Sequence, residues 1–600
     1  NCWFLFYAIL IFYHFLIEVI IMKKLSFFVV ISTLLAVLGC TDNSGKTETG
    51  AENKYADLVL KNGFIATVDP KIGNVTAIAI NDYLISAAGD DQKIDEYIGA
   101  NTEVIDLDGR FVMPGFIEGH GHFMSLGRSK QILDLNDVEG WEEIVSKVAV
   151  EVDKSKPGEW IFGRGWHQDK WDSLPDNAID GVPINDTLSK VSPQNPVVLG
   201  HASGHAAFWN DAALEIAGVN DDTPDPDGGT IVRDLTGKAT GLMRETAQRL
   251  ISKARTEYEG RLTPQETELD NRERAKMAAN EALKFGVTSF HDAGASFETI
   301  DFFKQLESEG ELDVRLYVMV RRESNEIMDA ALPQYKMLPE GNDFLTVRSI
   351  KRQIDGALGA HGAWLLEPYL DLPETTGLVL ETVEDITGTA EVAVKHGFQV
   401  NTHAIGDRAN REVLDIYEDV WKDMGVDGKD LRWRIEHAQH IHPDDIPRFG
   451  ELGVIASVQA VHGTSDGPWI PSRLGDERAK DTSQPWRTLF ETGAIITNGT
   501  DVPVERIDPI ASYYSSVTRR MNNGDAFYPE HIMTRQEALE TYTINGAYSA
   551  FEEEIKGSLT PGKYADFVVI SKNLLTVDYE EIPSAEVEMT FVGGELKYKK

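Results

Sequence analysis

Two histidines separated by one residue, His120 and His122, end the apolar segment FVMPGFIEGHGHF at residues 111–123. The front of this segment is typical of a buried strand, and side chains two positions apart on a strand point the same way. Both imidazoles can therefore reach one point in space, as a bound metal ion requires. A turn that happens to contain HGH is the alternative, because Gly119 and Gly121 suit a turn.

Polar side chains also end three later apolar segments. His403 ends FQVNTH, His437 ends RWRIEH, and Asp501 ends AIITNGTD. Active sites of parallel barrels are built at the carboxyl ends of the strands. A single histidine at such a place is more often structural than a metal ligand. Four strands that end in this way, the HGH strand included, favour one shared site.

Lys351 is a further candidate, in the segment TVRSIKRQIDGALG. On a strand it shares one face with Gln353 and Asp355. One interpretation is an edge-strand lysine in solvent, which the neighbouring Arg348 and Arg352 favour. The other is a lysine whose amine has reacted with carbon dioxide, giving a carboxylate that bridges two metal ions.

Apolar strands alternate with amphipathic helices between these candidates. Examples of strands are VRLYVMV, GVIASVQ and GVTSFHDAG, and about seven to nine such units can be counted. Residues 263–285 are helix-like, and Thr534 begins a helix with a capping box that includes Glu537. Alternating β and α units of this length predict a parallel sheet, and eight of them would close as a barrel.

Similar β segments occur near both ends of the chain, ADLVLKNGFIATVD at residues 56–69 and ADFVVISKNLLTVD at residues 565–578. AIAINDYLISAAG, with a turn at Asn81-Asp82, predicts a hairpin close to the first of them. We therefore expect one small β-sandwich assembled from both termini. The predicted boundaries are residues 55–112 and 551–600 for the sandwich and 113–550 for the barrel.

Residues 134–255, approximately, fit the alternating pattern less well. They contain GEWIFGRGWHQDKW and NPVVLGHASGHAAFWN, and we interpret them as a large insertion over the mouth of the barrel. A separately folded domain is the alternative. Trp166 and His205 are side chains of the kind that line pockets, and they are the candidate substrate contacts of the insertion. Packing within the insertion is the alternative for each.

The net charge of −40 limits the classes of partner. Nucleic acids and anionic membranes repel an acidic surface, so we expect neither as a partner. A small-molecule substrate is expected, and the sequence leaves homo-oligomerisation open. The two cysteines, Cys2 and Cys40, both precede the predicted fold. Any metal site must therefore use histidine, carboxylate or modified lysine.

Residues 1–40 are a hydrophobic N-terminal segment that includes a pattern similar to a bacterial secretory signal. A basic start at residues 22–24 is followed by an apolar run at residues 25–38 and by Cys40. The preceding glycine resembles a lipoprotein cleavage site, which predicts a lipid-anchored Cys40 and a place in the bacterial cell envelope, facing the periplasm or the surface. The only membrane contact expected is this lipid anchor, and an uncleaved membrane anchor is the alternative.

The residues on either side of this signal carry two further expectations. The polar residues 41–54 suit a flexible tether between the anchor and the fold. We interpret the apolar residues 1–21 as translated upstream sequence. A second hydrophobic segment of membrane-spanning length is the alternative for them.

The segments PGFIEGHGH, IKRQIDGALG, NTHAIGDRAN, RIEHAQ and NGTDVPV, in this order, resemble the amidohydrolase superfamily. More narrowly, they are similar to its YtcJ-like branch, amidohydrolase family 3, whose members also carry phrases like GRGW and GHAAFWN. The resemblance extends from about Tyr55 to the C-terminus. It implies an α/β fold, a (β/α)8 TIM barrel with a β-sandwich made from both termini. The implied metal ligands are His120, His122, Lys351, His403, His437 and Asp501. Glu118 departs from the pattern, since many members have aspartate before the two histidines.

The ligand types and the resemblance together predict an enzyme. A divalent cation, most simply zinc, lowers the pKa of bound water to about 7 and polarises a carbonyl group. We expect one or two ions and hydrolysis, through a metal-bound hydroxide, of a non-peptide C–N bond such as an amide, formamide or cyclic amide. Asp501 would move the proton from the attacking water to the leaving amine, and His403 or His437 would support the oxyanion. The alternatives are an ester or lactone hydrolase on the same site, or a lipid-anchored binding or regulatory protein with a vestigial metal site.

Overall fold

The computed structural model describes Tyr55–Lys600 except residues 137, 167, 169, 170, 174, 176, 177, 180–182, 203–205, 227, 228 and 360. The predicted signal, Cys40 and the tether lie outside the described residues, as does His205. Within the described part of the chain, no helix combines the length and the apolarity needed to cross a bilayer.

Eight strands form the central sheet, and neighbouring strands of the series pair in parallel. In chain order they are β1 (Phe116–Gly121), β2 (Val287–Ala295), β3 (Arg315–Val320), β4 (Leu345–Gln353), β5 (Gln399–Ala404), β6 (Arg434–His437), β7 (Ile455–Val458) and β8 (Ile496–Asn498). The two edges meet, because the amide of Asp501 donates to the His120 carbonyl (2.8 Å) and the amide of His122 donates to the Val502 carbonyl (2.8 Å). The predicted (β/α)8 barrel is confirmed.

Helices connect the strands and cover the barrel. They are Phe123–Lys130, Pro264–Lys284, Phe297–Glu309, Asn325–Tyr335, Val383–His396, Asp407–Met424, Ile446–Leu452, Trp486–Glu491 and Pro509–Thr518, followed after β8 by Arg535–Thr541 and Ile544–Ser549. The capping box predicted at Thr534 is present, and Thr263 forms a second one. Such caps satisfy amide groups that a helix start leaves unpaired. The apolar helix faces and the outer side chains of the strands form the main core.

Two further sheets pack together; the first contains N-terminal strands alone, and the second combines strands from both ends of the chain. One has the order Leu84–Gly89, Ala77–Asn81, Leu58–Lys61 and Glu103–Asp106. The other has the order Phe64–Ile65, Phe111–Pro114, Phe567–Ile570, Val587–Val592 and Glu595–Lys599. Leu60 and Ile80 of the first sheet share a core with Phe567 and Met589 of the second. The expected sandwich of both termini is therefore present.

The segment around the two histidines contains two strands, where the sequence predicted one. Phe111–Pro114 pairs with Phe567–Ile570 in the sandwich, and β1 begins after Gly115. A Cβ atom at Gly115 would lie 2.1 Å from Oγ1 of Thr288, so no side chain fits there. The chain passes from the sandwich into the barrel at this glycine.

The insertion forms a six-stranded mixed sheet with apolar cores of its own. Its strands, in sheet order, are Gly229–Arg233, Ala239–Glu245, Ala206–Trp209, Val197–His201, Ile161–Trp166 and Leu133–Asp134. Its longer helices are Trp141–Val152, Asp211–Ala217 and Ser252–Glu259. Arg164 and Ala202 of the insertion line one cavity together with Val502 and Pro503, which follow β8. The insertion therefore lies against the mouth of the barrel, as predicted, while packing around its own cores.

Candidate active site

His120 lies in β1 and is held by a carboxylate from the opposite side of the barrel. Its Nδ1 forms a hydrogen bond with Oε2 of Glu436 in β6, and both side chains are fully buried. Burial, together with the charge of Lys351, lowers the pKa of His120 to about 4. Although burial raises the pKa of Glu436, His120 holds it at about 2. The pair is therefore a neutral imidazole with its proton on Nδ1, facing an ionised carboxylate, which leaves the Nε2 lone pair available for a metal ion.

His437 ends β6 and is oriented in the same way. Its Nδ1 lies 2.6 Å from Oε1 of Gln459, the residue that follows β7. His437 and Ala438 both have positive φ angles (75° and 43°), so the backbone leaves the extended conformation at the end of the strand. Burial, and next the charge of His120, lower the pKa of His437 well below its ordinary value. A neutral imidazole again presents its Nε2.

Asp501 does not lie in β8, in contrast to the expectation, because the strand ends at Asn498. Glu118 of β1 binds the intervening loop. The amide and the hydroxyl of Thr500 donate to its two carboxylate oxygens at 2.5 and 3.0 Å. A Cβ atom at Gly499 would lie 2.5 Å from Oε1 of Glu118, so the loop approaches this carboxylate as only glycine allows. Glu118 thus helps to position Asp501 by holding the residue directly before it.

Three of the predicted ligands converge. One ligand atom each from His120, His437 and Asp501 lies within 4.8 Å of the other two, and all three residues are buried. His122 approaches the same Oδ1 of Asp501, with its Nε2 at 3.3 Å. That oxygen accepts no hydrogen bond of good geometry from the described residues. A buried carboxylate oxygen without a donor is costly unless a cation is bound, and two imidazoles with a carboxylate suit a zinc-class ion. The residues present therefore fit a divalent metal.

His403 ends β5 beside this cluster, with its ring centroid 4.3 Å from that of His437. Its Nε2 lies 3.5 Å from Oδ1 of Asp355 but has no hydrogen-bond partner among the described residues. Asp355 accepts from the amides of Ile405 and Gly406 at 3.0 and 2.8 Å. Burial nevertheless raises the pKa of Asp355 to about 7. His403 therefore offers a free ring nitrogen next to the three converging ligands.

Lys351 points into the barrel. It lies on β4 between β3 and β5, only 2 % of it is exposed, and its Nζ lies 3.2 Å from Nε2 of His120. The solvent-exposed alternative is therefore wrong. Burial lowers the pKa of Lys351 to about 8. A lysine with this pKa is partly neutral at physiological pH, and the neutral amine is the form that reacts with carbon dioxide.

The two predicted substrate contacts have different outcomes. Trp166 is 1 % exposed, packs against Trp171 and Phe208, and donates from Nε1 to the carbonyl of Leu199 at 2.8 Å. Its strand presents this residue to the core of the insertion, so the expected substrate contact is corrected to a packing role. His205 lies outside the described residues.

Sequence reasoning missed two residues that orient the rings, Glu436 and Gln459. Glu436 is an acidic residue inside the otherwise apolar strand RIEH, directly before a candidate ligand. Gln459 ends the apolar stretch GVIASVQ, just as the ligands themselves end their strands. Both signals are in the sequence, but neither tells which side chain meets which ring.

The family model of the amidohydrolase family matches residues 103–598. The chain belongs to the amidohydrolase family, and it is a hydrolase. It is 35% identical over 571 residues to Protein LONG AFTER FAR-RED 3 of Arabidopsis thaliana, covering 92% of this chain and 93% of that protein. It is 29% identical to the putative amidohydrolase YtcJ of Bacillus subtilis (90% and 98% covered). It is 25% identical to the N-substituted formamide deformylase of Arthrobacter pascens (91% and 98% covered).

A solved structure agrees with this assignment. An uncharacterized metal-dependent hydrolase from Pyrococcus furiosus is 30% identical and superimposes with a TM-score of 0.68, covering 86% of this chain and all of that one. The amidohydrolase family and the resemblance to YtcJ inferred from the sequence motifs are confirmed.

Proposed function

We propose that this amidohydrolase is metal-dependent and cleaves a non-peptide C–N bond, of an amide, formamide or cyclic amide, in a small molecule. The observation that carries the proposal is the convergence of His120, His437 and Asp501 at the barrel mouth. The similarity to an N-substituted formamide deformylase supports the bond type. Specificity for a particular substrate is a separate matter, since one barrel can host many chemistries.

The proposed ion is held by His120, His437 and Asp501, and zinc suits these nitrogen and oxygen donors. His122, His403 and Lys351 surround the same point and are the proposed further ligands of one or two ions. We also propose that Lys351 becomes carboxylated, because its buried amine is partly neutral and adjoins His120. The bound ion would lower the pKa of water to near 7 and polarise the substrate carbonyl.

Asp501 is the proposed proton carrier. Burial raises the pKa of this carboxylate, but the nearby imidazoles of His122, His120 and His437 hold it well below its ordinary value. Asp501 is therefore ionised at neutral pH and able to accept a proton from the attacking water. It then donates this proton to the departing nitrogen, since an amine leaves only when it is protonated.

Three other side chains have proposed supporting roles. If the ion leaves His403 unbound, its Nε2, carrying the ring proton, would donate a hydrogen bond to the substrate carbonyl oxygen as charge develops there. Glu436 and Gln459 keep the rings of His120 and His437 in place. Fixed rings matter because a misplaced ligand costs both metal affinity and rate.

Metal removal and replacement test the proposal. Protein treated with a chelator until mass spectrometry finds no metal is assayed before and after addition of zinc, on pairs of amides and esters with the same acyl group. We expect hydrolysis to vanish and return, with amides and formamides among the substrates. Activity in metal-free protein would contradict the proposal. Turnover of esters alone would favour the ester hydrolase, and bound metal with no hydrolysis would favour a binding protein.

Lipid attachment at Cys40 and a place in the cell envelope remain predictions from the sequence. Mass spectrometry of the mature protein, expressed with residues 1–54 in a bacterium, measures them. We expect the mass of a diacylated chain that begins at Cys40. A chain that retains residues 22–39 would instead support an uncleaved anchor.

A further inference from the structure

A cavity of about 470 Å³ adjoins the candidate active site. This volume lies in the range of small-molecule pockets. One wall consists of Val502 and Pro503, the residues directly after Asp501, and another consists of residues of the insertion that include Arg164. The cavity thus lies between the loop that follows Asp501, the proposed proton carrier, and the insertion.

Arg164 is turned toward the barrel by the alternation of its strand. Ile161, Gly163 and Trp166 of that strand are buried, whereas Phe162 and Arg164 lie on the other, partly open face. Phe162 stacks under the guanidinium of Arg128, which belongs to the barrel helix Phe123–Lys130, at 5.3 Å. The face that carries Arg164 is therefore the face directed at the barrel.

The charge of Arg164 has no carboxylate partner among the residues that the structure describes. The part of the chain that the structure describes places no carboxylate within 4 Å of it, and its hydrogen bond goes to the carbonyl of Ala202 at 3.3 Å. Burial lowers the pKa of Arg164, and the opposing influence comes from the charge of Asp501. Asp134 lies opposite Arg164 in the sheet, but its carboxylate accepts from Asn136. In a chain of net charge −40, a half-buried arginine that no described carboxylate pairs with is an unusual feature.

The guanidinium of Arg321, also at the barrel mouth, differs from that of Arg164 in how its charge is balanced. Arg321, the residue after β3, donates to Oε1 of Gln353 at 2.7 Å and is influenced by Glu381, Asp501 and Asp292. Its charge is thus balanced by several protein groups. Arg164 has a single weak hydrogen bond, and Asp501, the charge that acts on it, would be committed to the metal ion in the proposed enzyme.

We propose that Arg164 binds an anionic group of the substrate, and that this group is a carboxylate. The inference rests on the proposed function and narrows it to amides or formamides that also bear a carboxylate. A guanidinium binds a carboxylate through two parallel hydrogen bonds, which orient the substrate as well as hold it. A monoanion such as a carboxylate is the charge that one arginine balances.

Steady-state kinetics with a matched substrate pair test the inference. The zinc-loaded enzyme is assayed for formate release from N-formylphenylalanine and from its methyl ester, which differ in charge. We expect Arg164→Met to lower kcat/KM for the acid by about 10- to 100-fold, mostly through KM, and to leave the ester within about twofold. Arg164→Lys should restore part of the loss. An equal loss for both substrates, or no loss for either, would overturn the inference.

Lys130→Met is the matched control, because Lys130 lines the same cavity but is paired with Glu281 at 2.7 Å. We expect this variant to keep the preference for the acid. A Lys130→Met variant that lost the preference as Arg164→Met does would mean that general cavity charge, and not Arg164, selects the anion.

A binding measurement separates this inference from the proposed function. Isothermal titration calorimetry of phenylacetate and phenylacetamide is performed on zinc-loaded and metal-free protein. We expect tighter binding of the anion in both forms, lost in Arg164→Met and kept in Lys130→Met. Binding that requires zinc and ignores Arg164 would overturn the inference, as would no binding. If no formamide or amide is hydrolysed but phenylacetate binding depends on Arg164, the proposed function fails while the anion site stands.

Discussion

The histidines of the barrel mouth and Arg164 of the insertion are held in opposite ways. In the barrel, the ring of His120 is fixed by Glu436 and the ring of His437 by Gln459, each partner coming from another strand. In the insertion, Arg164 is bound through one long hydrogen bond to a backbone carbonyl. Groups that take part in bond breaking need fixed geometry, and Glu436 and Gln459 provide it for the two rings. Under the proposed function, we expect the barrel to carry out the chemistry and the insertion to select the substrate.

Asp501→Asn tests the barrel side of this comparison and should have the largest effect. The amide keeps the shape of the side chain but cannot carry the proton, so we expect kcat to fall by about 10²- to 10⁴-fold. The melting temperature should change by only a few degrees. Activity is measured on zinc-loaded protein, with the exposed Asp481→Asn as the control. Near-normal turnover in Asp501→Asn would show that another group moves the proton.

Glu436→Gln tests how much metal affinity depends on the side chains that orient the histidine rings. Glutamine can accept a hydrogen bond from Nδ1 of His120 but lacks the negative charge that favours this tautomer, so we expect metal affinity to fall by about 10- to 100-fold. Gln459→Ala should have a smaller effect, because the lost partner of His437 is neutral. Competition with a chromophoric chelator measures both affinities.

Equal metal affinity in wild type and Glu436→Gln would contradict the expected role of Glu436. It would mean that the barrel walls alone fix the ring of His120. The matched measurement on Gln459→Ala then shows whether the same holds for His437.

The barrel and the convergence of its ligands could be predicted from the sequence for a topological reason. Parallel strands bring their carboxyl ends to one edge, so polar residues that end several apolar strands must meet there. The contacts that orient them could not be predicted, because a strand pattern does not state which strand faces which across a closed barrel. Glu118 illustrates this: its partner Thr500 is hundreds of residues away in sequence and lies beside β1 once the barrel closes.

The insertion could be predicted less well, again for a physical reason. The phrase GRGW places Arg164 and Trp166 two positions apart, which on a regular strand would put them on one face. Gly165 has a φ of 111°, and a Cβ atom there would lie 2.5 Å from Oδ1 of Asn136, so the strand is irregular at this point. Trp166 consequently joins the core of the insertion while Arg164 lines the cavity.

Glu118→Gln tests how the protonation of Glu118, which holds the loop before Asp501, makes the stability of the folded protein depend on pH. We expect a moderate effect. Burial raises the pKa of Glu118 from 4.5 to about 8. The folded state thus keeps a proton that the unfolded chain releases, so this contribution to stability is fully present below pH 4.5 and is lost as the pH rises through about 8. Melting temperatures of metal-free protein between pH 5 and pH 9 measure it. We expect a steeper decline in wild type than in Glu118→Gln, because glutamine imitates the protonated form at every pH.

Parallel melting curves for wild type and Glu118→Gln would contradict the expected titration. The loop would then be held by an ionised Glu118 throughout the range.

Trp166→Phe should have the smallest effect on catalysis. It tests whether Trp166 packs in the core of the insertion or contacts the substrate. Phenylalanine cannot donate to the Leu199 carbonyl, so we expect the free energy of unfolding to fall by about 1–2 kcal/mol. Because the ring lies in the core of the insertion, kcat/KM should stay within about twofold of wild type, in contrast to Arg164→Met. Denaturant unfolding and steady-state kinetics give the two numbers. A variant with unchanged stability and a strongly raised KM would place the indole against the substrate, and the insertion would then recognise substrates through its aromatic core as well as through its charge.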